Sequence, residues 1–164
     1  MPYPKIIFVV GHSNWGKSAT LRALTNGDYR VRKIKIEGVQ YFIRRMSNDD
    51  RPKSFINRMT SVNPNKWPNI LAALCPDFDD PSKKTGTVLQ ALQDKGYKLF
   101  FWVLQKQYGT EEVINPAEIS HLRLFGQVEI FTEVAQARVR AEKFKAFVVS
   151  VAASNSSIEN ISDD

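Results

Sequence analysis

The chain has 164 residues, 43% apolar, 24% charged and 11% aromatic, with 8 Gly, 8 Pro and one Cys. That size and balance predict one compact domain, and they exclude wholesale disorder, collagen-like repeats and a disulfide scaffold; a single Cys suits a reducing compartment. The formal charge is +6, yet the last eleven residues, Ser154 to Asp164, hold Glu159, Asp163 and Asp164 and no base. The body therefore carries roughly +9, which suits nucleotides, nucleic acid or an acidic protein surface as partners.

Lys5 to Val10 is a continuous apolar run between Pro4 and Gly11, the pattern of a strand buried on both faces. It and Leu99 to Leu104 are the longest apolar runs, far short of the roughly 20 residues of a membrane span. Met1-Pro2-Tyr3-Pro4-Lys5 opens no signal peptide, because the apolar run behind it enters a glycine loop. A cytoplasmic, soluble protein with no membrane partner is expected. Lys17 to Leu24 reads as a helix stopped by Asn26-Gly27-Asp28. From Val31 to Met46 the apolar period becomes two around Glu37-Gly38, which predicts a β-hairpin.

A polar loop over 47–52 leads to a short helix with Phe55, Ile56 and Met59, then the Asn63 to Pro68 linker, then a buried strand over Ile70 to Leu74. Thr85 to Lys95 is a helix with Gly96 as its stop, followed by the strand Leu99 to Leu104. Asn115-Pro116 begins another helix that runs through Leu124 and stops at Gly126; Val128 to Phe131 is strand-like. Ala135 to Val151 is a long helix that buries Ala137, Ala141, Phe144, Val148 and Val151, and 154–164 reads as a disordered acidic tail. Strands alternating with helices predict a three-layer α/β domain over 1–153: a mostly parallel sheet covered on both faces, with the hairpin as an antiparallel edge.

Between the first strand and first helix lies Gly11-His12-Ser13-Asn14-Trp15-Gly16-Lys17-Ser18, which matches G-x-x-x-x-G-K-[ST] in the strand–loop–helix context the motif requires. On these residues the chain resembles the P-loop NTPase superfamily. The resemblance implies a phosphate cradle of backbone N–H groups from Gly11 through His12, Ser13, Asn14, Trp15, Gly16, Lys17 and Ser18 to Ala19. Lys17 would bring charge to the β- and γ-phosphates, and Ser18 would ligate Mg²⁺. Trp15 either touches the nucleotide or faces a partner or solvent, and His12 reads as an exposed loop residue.

The resemblance also implies a carboxylate that anchors the magnesium shell from the end of a strand beside the loop strand. Asp49, with Asp50, follows the hairpin; Asp77, with Asp79 and Asp80, follows Ile70 to Leu74, and the more apolar strand before Asp77 favours it slightly. Both also suit ordinary turn chemistry. Neither strand ends in Asp-Glu, the pair that would supply a magnesium anchor and a water-activating base together, so slow turnover is expected unless a partner subunit or protein completes the site.

Three function classes remain open. The hairpin resembles the switch region of small GTPases, but Gln105-Lys106-Gln107-Tyr108 places Tyr108 where those proteins carry a guanine-reading aspartate, so ATP is expected over GTP. Arg44, Arg45, Arg51 and Arg58 suit a phosphotransferase with an anionic acceptor; Arg138 and Arg140, mid-helix, read as a solvated face. A nucleotide-gated binding module would use the polar 47–68 stretch, with Lys66 and Trp67 available to nucleic acid or Trp67 serving as a packing anchor. Cys75 has no second Cys or evident His partner, and His12 and His121 are too few for zinc.

Overall fold

The computed structural model describes residues 3–162, with side chains through Ser154. In chain order the elements are β1 (Lys5–Val10), α1 (Lys17–Ala23), β2 (Lys33–Ile36), β3 (Val39–Arg44), α2 (Pro52–Thr60), β4 (Asn69–Leu74), α3 (Thr85–Asp94), β5 (Lys98–Leu104), α4 (Pro116–Arg123), β6 (Gly126–Phe131) and α5 (Ala137–Ser162). Over 154–162, where the sequence predicts a disordered tail, the backbone continues α5; the side chains beyond Ser154 lie outside those described. No helix among the described residues is long and apolar enough to cross a membrane.

The six strands form one sheet in the order β2-β3-β4-β1-β5-β6. Only β2 and β3 pair antiparallel; β3–β4, β4–β1, β1–β5 and β5–β6 are parallel. The apolar runs explain the order. Every residue of β1 is buried, as are Ile70–Leu74 of β4 and Leu99–Leu104 of β5, so these three occupy the centre. The hairpin, whose lysines Lys33 and Lys35 stay exposed, lies at one margin, where charge on the outer strand β2 discourages edge pairing.

Parallel crossovers are right-handed, which assigns the helices to faces. The chain leaves β1 towards the hairpin through α1, and returns across the sheet through α2, α3 and α4; α1 therefore covers one face and the other three the opposite face. α5 packs on α1, and α2 on α3, in agreement with that assignment. Trp102 on β5 ties the layers together, its ring 4.9 Å from Phe131 on β6 and 5.6 Å from Phe144 on α5.

Gly126, expected as a helix stop, is instead the first residue of β6, in register with Leu99. A Cβ there would collide with the Leu99 carbonyl, so only glycine lets the two strands meet at this point. Trp67 is the packing anchor of its linker, its ring 4.4 Å from Phe42 and its carbonyl accepting from the Tyr97 hydroxyl at 2.7 Å.

Burial pushes the phenols of Tyr41 and Tyr97 up to about 12. An unfolded tyrosine ionises near pH 10, so the stability of the neutral buried phenols is fully present below that pH and falls as pH rises towards 12, by about 2–3 kcal/mol per group. Urea midpoints measured from pH 9 to pH 11.5 should fall steadily, and a flat profile would contradict this account.

Candidate functional site

The connections of β1 and β4 leave to opposite faces although the two strands are neighbours, and the crevice at the carboxyl ends of such a pair is where open α/β sheets bind ligands. The 11–18 loop occupies it. The Gly11 amide donates to the Leu74 carbonyl at 3.1 Å, joining the ends of β1 and β4 before the loop departs. Asn14 (φ 67°) and Gly16 (φ 90°) adopt left-handed backbone, and the Trp15 amide closes a turn onto the His12 carbonyl at 3.1 Å. The N–H groups of Ser13, Asn14, Gly16, Lys17 and Ser18 then find no acceptor among the described residues. They line the start of α1, whose positive end adds to their partial charge.

Side chains brace this arc from below. Trp15 is only 6% exposed and meets the His12 ring edge-on at 5.4 Å, so it belongs to the core and neither faces solvent nor offers a docking face. His12 is not the exposed loop residue expected: its Nε2 lies 2.7 Å from Glu118 Oε1, and its Nδ1 lies 3.8 Å from the Cys75 sulfur. Glu118 is held by the first turn of α4, which Asn115 caps by accepting from the Ala117 amide at 2.9 Å. Cys75 thus has a histidine neighbour that no local motif announced, and burial pushes its thiol up, away from the reactive thiolate.

Arg140 also departs from expectation. Arg138 is exposed, but Arg140 is 7% exposed and reaches from α5 to α1: its Nε donates to Thr20 Oγ1 at 2.9 Å and its terminal nitrogens to the Ala135 and Gly16 carbonyls at 2.6 and 3.4 Å. Burial lowers its pKa from the usual range. A Cβ on Gly16 would strike this guanidinium, a second reason for glycine besides its left-handed backbone.

Lys17, 6% exposed, folds back so that Nζ donates to the His12 carbonyl at 2.9 Å and to Asp49 Oδ2 at 3.4 Å. The two candidate carboxylates therefore stand differently. Asp77 does follow the strand beside β1, but its Oδ1 accepts from the amides of Asp79 and Asp80, both at 3.2 Å, and its Oδ2 pairs with Lys83 at 3.4 Å. Asp49 follows β3, one strand further out, yet reaches the loop. Asn48 carries it there: its side chain accepts from the Cys75 amide at 2.7 Å and donates to the Cys75 carbonyl at 3.1 Å and to Thr85 Oγ1 at 2.9 Å. The 47–50 segment is thereby drawn across the end of β4, and Asp49 also accepts from Ser47 Oγ.

Ser18 is half-buried and opens on a cavity of about 510 Å³ walled by α1, β3 and α2. Arg44, Arg45, Arg51 and Arg58 line it, together with Arg22 and Arg32. A smaller cavity, about 200 Å³, lies on the other side among His12, Asp77, Glu118 and His121. Gln107 joins the loop by donating to the Asn14 carbonyl at 3.0 Å, whereas Tyr108 is 51% exposed and Ala19 lies on the open surface of α1. Comparison of the chain with protein-family models and with curated proteins returns no match.

Replacing Arg140 with Ala strands three acceptors and should cost about 2–4 kcal/mol, a fall in melting temperature of roughly 5–10 °C. Arg138→Ala should leave it within about 1 °C, and equal effects in calorimetric scans would overturn the distinction.

Proposed function

We propose that the protein binds a nucleoside triphosphate, ATP in preference to GTP, with Mg²⁺, as a member of the P-loop NTPase superfamily, and hydrolyses it slowly. The observation that carries this reading is the set of acceptor-free N–H groups of Ser13, Asn14, Gly16, Lys17 and Ser18, at a helix start at the switch point of the sheet, with Lys17 Nζ folded back onto the same loop. Such donors suit phosphate oxygens in sign. On binding, Lys17 exchanges the His12 carbonyl for phosphate oxygens, while Trp15, the His12–Glu118 pair and Arg140 hold the backbone still.

The residues present fit a magnesium ion carried in with the triphosphate. Among the described residues no cluster of three or more His, Cys, Asp or Glu could hold a metal alone, whereas Mg²⁺ characteristically takes one or two protein oxygens and completes its shell with phosphate and water. Ser18 supplies the hydroxyl. We assign the carboxylate to Asp49, because its partner is Lys17 of the loop itself, whereas Asp77 is partnered by Lys83 and the amides of its own turn. Bound there, the ion would neutralise charge developing on the phosphates. Slow turnover follows from the carboxylates at hand: Asp49 is tied to Lys17 and Ser47, and Glu118 to His12, so neither is free to orient a water. A partner protein or second subunit would supply what is missing. Tyr108 in place of a carboxylate supports the preference for adenine.

Calorimetric titration of MgATP and MgGTP tests the reading. Lys17→Ala should weaken MgATP binding about 100-fold or more with an unchanged far-ultraviolet spectrum, the loss of a charged contact to phosphate in a dry setting. Asp49→Asn should flatten the dependence on magnesium, and Asp77→Asn should not. Unchanged affinity in Lys17→Ala would remove the loop as the site.

A further inference from the structure

Six arginines line the 510 Å³ cavity: Arg22, Arg32, Arg44, Arg45, Arg51 and Arg58. Asp50 is the one carboxylate that lines it, and that group already accepts from the Ser47 amide at 3.2 Å. Among the described residues, Arg22, Arg32, Arg51 and Arg58 donate no side-chain hydrogen bond and form no ion pair, and Arg44 only lies over the Phe42 ring at 4.6 Å. Arg45 is different. It is a structural strut, donating to the carbonyls of Tyr29, Asp28 and Val31 and to Thr25 Oγ1, with its Nε buried and without a partner.

Such crowding has a cost. Burial, then the charges of Arg58 and Arg32, lower the pKa of Arg44, and burial followed by Arg22 and Arg32 does the same for Arg45. Four arginines without a protein partner around one concavity give it a positive potential that favours an anion. Arginine narrows the class, since its planar fork matches the paired oxygens of phosphate. The floor narrows it further: Ile43, Phe55 and Met59 are apolar and buried, and Tyr29, 66% exposed, offers an aromatic face at the rim. The volume falls in the range of small-molecule pockets, and the arginines line one hollow instead of tracking a stripe, which suits a compact molecule over a polymer backbone.

We propose that this basin is a second ligand site, for a small organic phosphate with a planar or apolar body, separate from the triphosphate cradle of the 11–18 loop. It goes beyond the nucleotide reading and stands without it, because nothing in the basin requires Lys17 or the loop amides. Ser18 lies on the border, so a ligand here would sit next to the loop's own occupant.

The test uses the full chain and adenosine 5′-monophosphate, with inorganic pyrophosphate as the probe of charge alone, titrated without magnesium. Binding of both should persist in Lys17→Ala and weaken about tenfold in each of Arg51→Gln and Arg58→Gln, whose side chains are exposed and whose loss spares the core. Those two variants should still bind MgATP in the loop. Arg138→Gln removes the same charge elsewhere and should change nothing. Equal weakening in Arg138→Gln would reduce the basin to diffuse attraction and overturn the proposal, as would loss of both probes in Lys17→Ala, which would mean a single composite site. Tighter binding of a single-stranded oligonucleotide than of the mononucleotide would replace the small molecule with a polymer. Failure of MgATP binding in every variant and the parent, with the mononucleotide still bound, would sink the nucleotide reading and leave this one standing.

Discussion

The side chain of Asn48 is the contact on which the candidate site depends. It is wholly buried and reads the end of β4 as an extra strand would, taking the Cys75 amide and returning a hydrogen to the Cys75 carbonyl. A buried amide left with empty partners would cost several kcal/mol, so the segment around it has one position. With Asn48 seated, Asp49 falls beside Lys17, Asp50 turns to the arginine basin, and α2 starts two residues further on with Pro52 in its first turn. One amide thus sets the spacing between the loop, the carboxylate and the basin.

Charge is handled in opposite ways on the two sides of Ser18. Lys17 is buried and matched, with a carbonyl and a carboxylate at hand, so its charge is compensated before any ligand arrives. Four of the basin arginines, Arg22, Arg32, Arg51 and Arg58, are exposed and form no ion pair among the described residues. Water and ions can screen exposed groups, and that is why the fold tolerates the cluster. The same screening makes the attraction of the basin adjustable by ionic strength, while the Lys17–Asp49 pair, 6% and 3% exposed, is sheltered from it.

Much of this was legible in the residues. The three apolar runs announce the central strands, the change to period two announces the hairpin, and the glycine-lysine motif between strand and helix locates the loop to the residue. Arg44, Arg45, Arg51 and Arg58 stand out in the sequence as a set, and they do line one cavity. What was hidden depends on contacts across long sequence separations. Asn48 looks like one more polar loop residue until Cys75 stands opposite. Arg140 has the helical position of a surface residue, since α5 packs on α1 and not only on the sheet. His12 gains its meaning from Glu118, more than a hundred residues away, and Gly126 from the Leu99 carbonyl. The more apolar strand before Asp77 does lie beside β1, but strand adjacency does not orient a carboxylate. A turn captured Asp77, and a neighbouring loop delivered Asp49.

Trp15 gives the loop an optical label of its own. Its indole is buried edge-on to His12, while Trp67 packs in the linker and Trp102 on β5 against Phe131 and Phe144. Any rearrangement of 11–18 must move the indole against its imidazole neighbour or let water reach it, and indole emission responds to both. The state of the loop is therefore reported from inside the protein, by the aromatic side chain that packs beneath its own backbone.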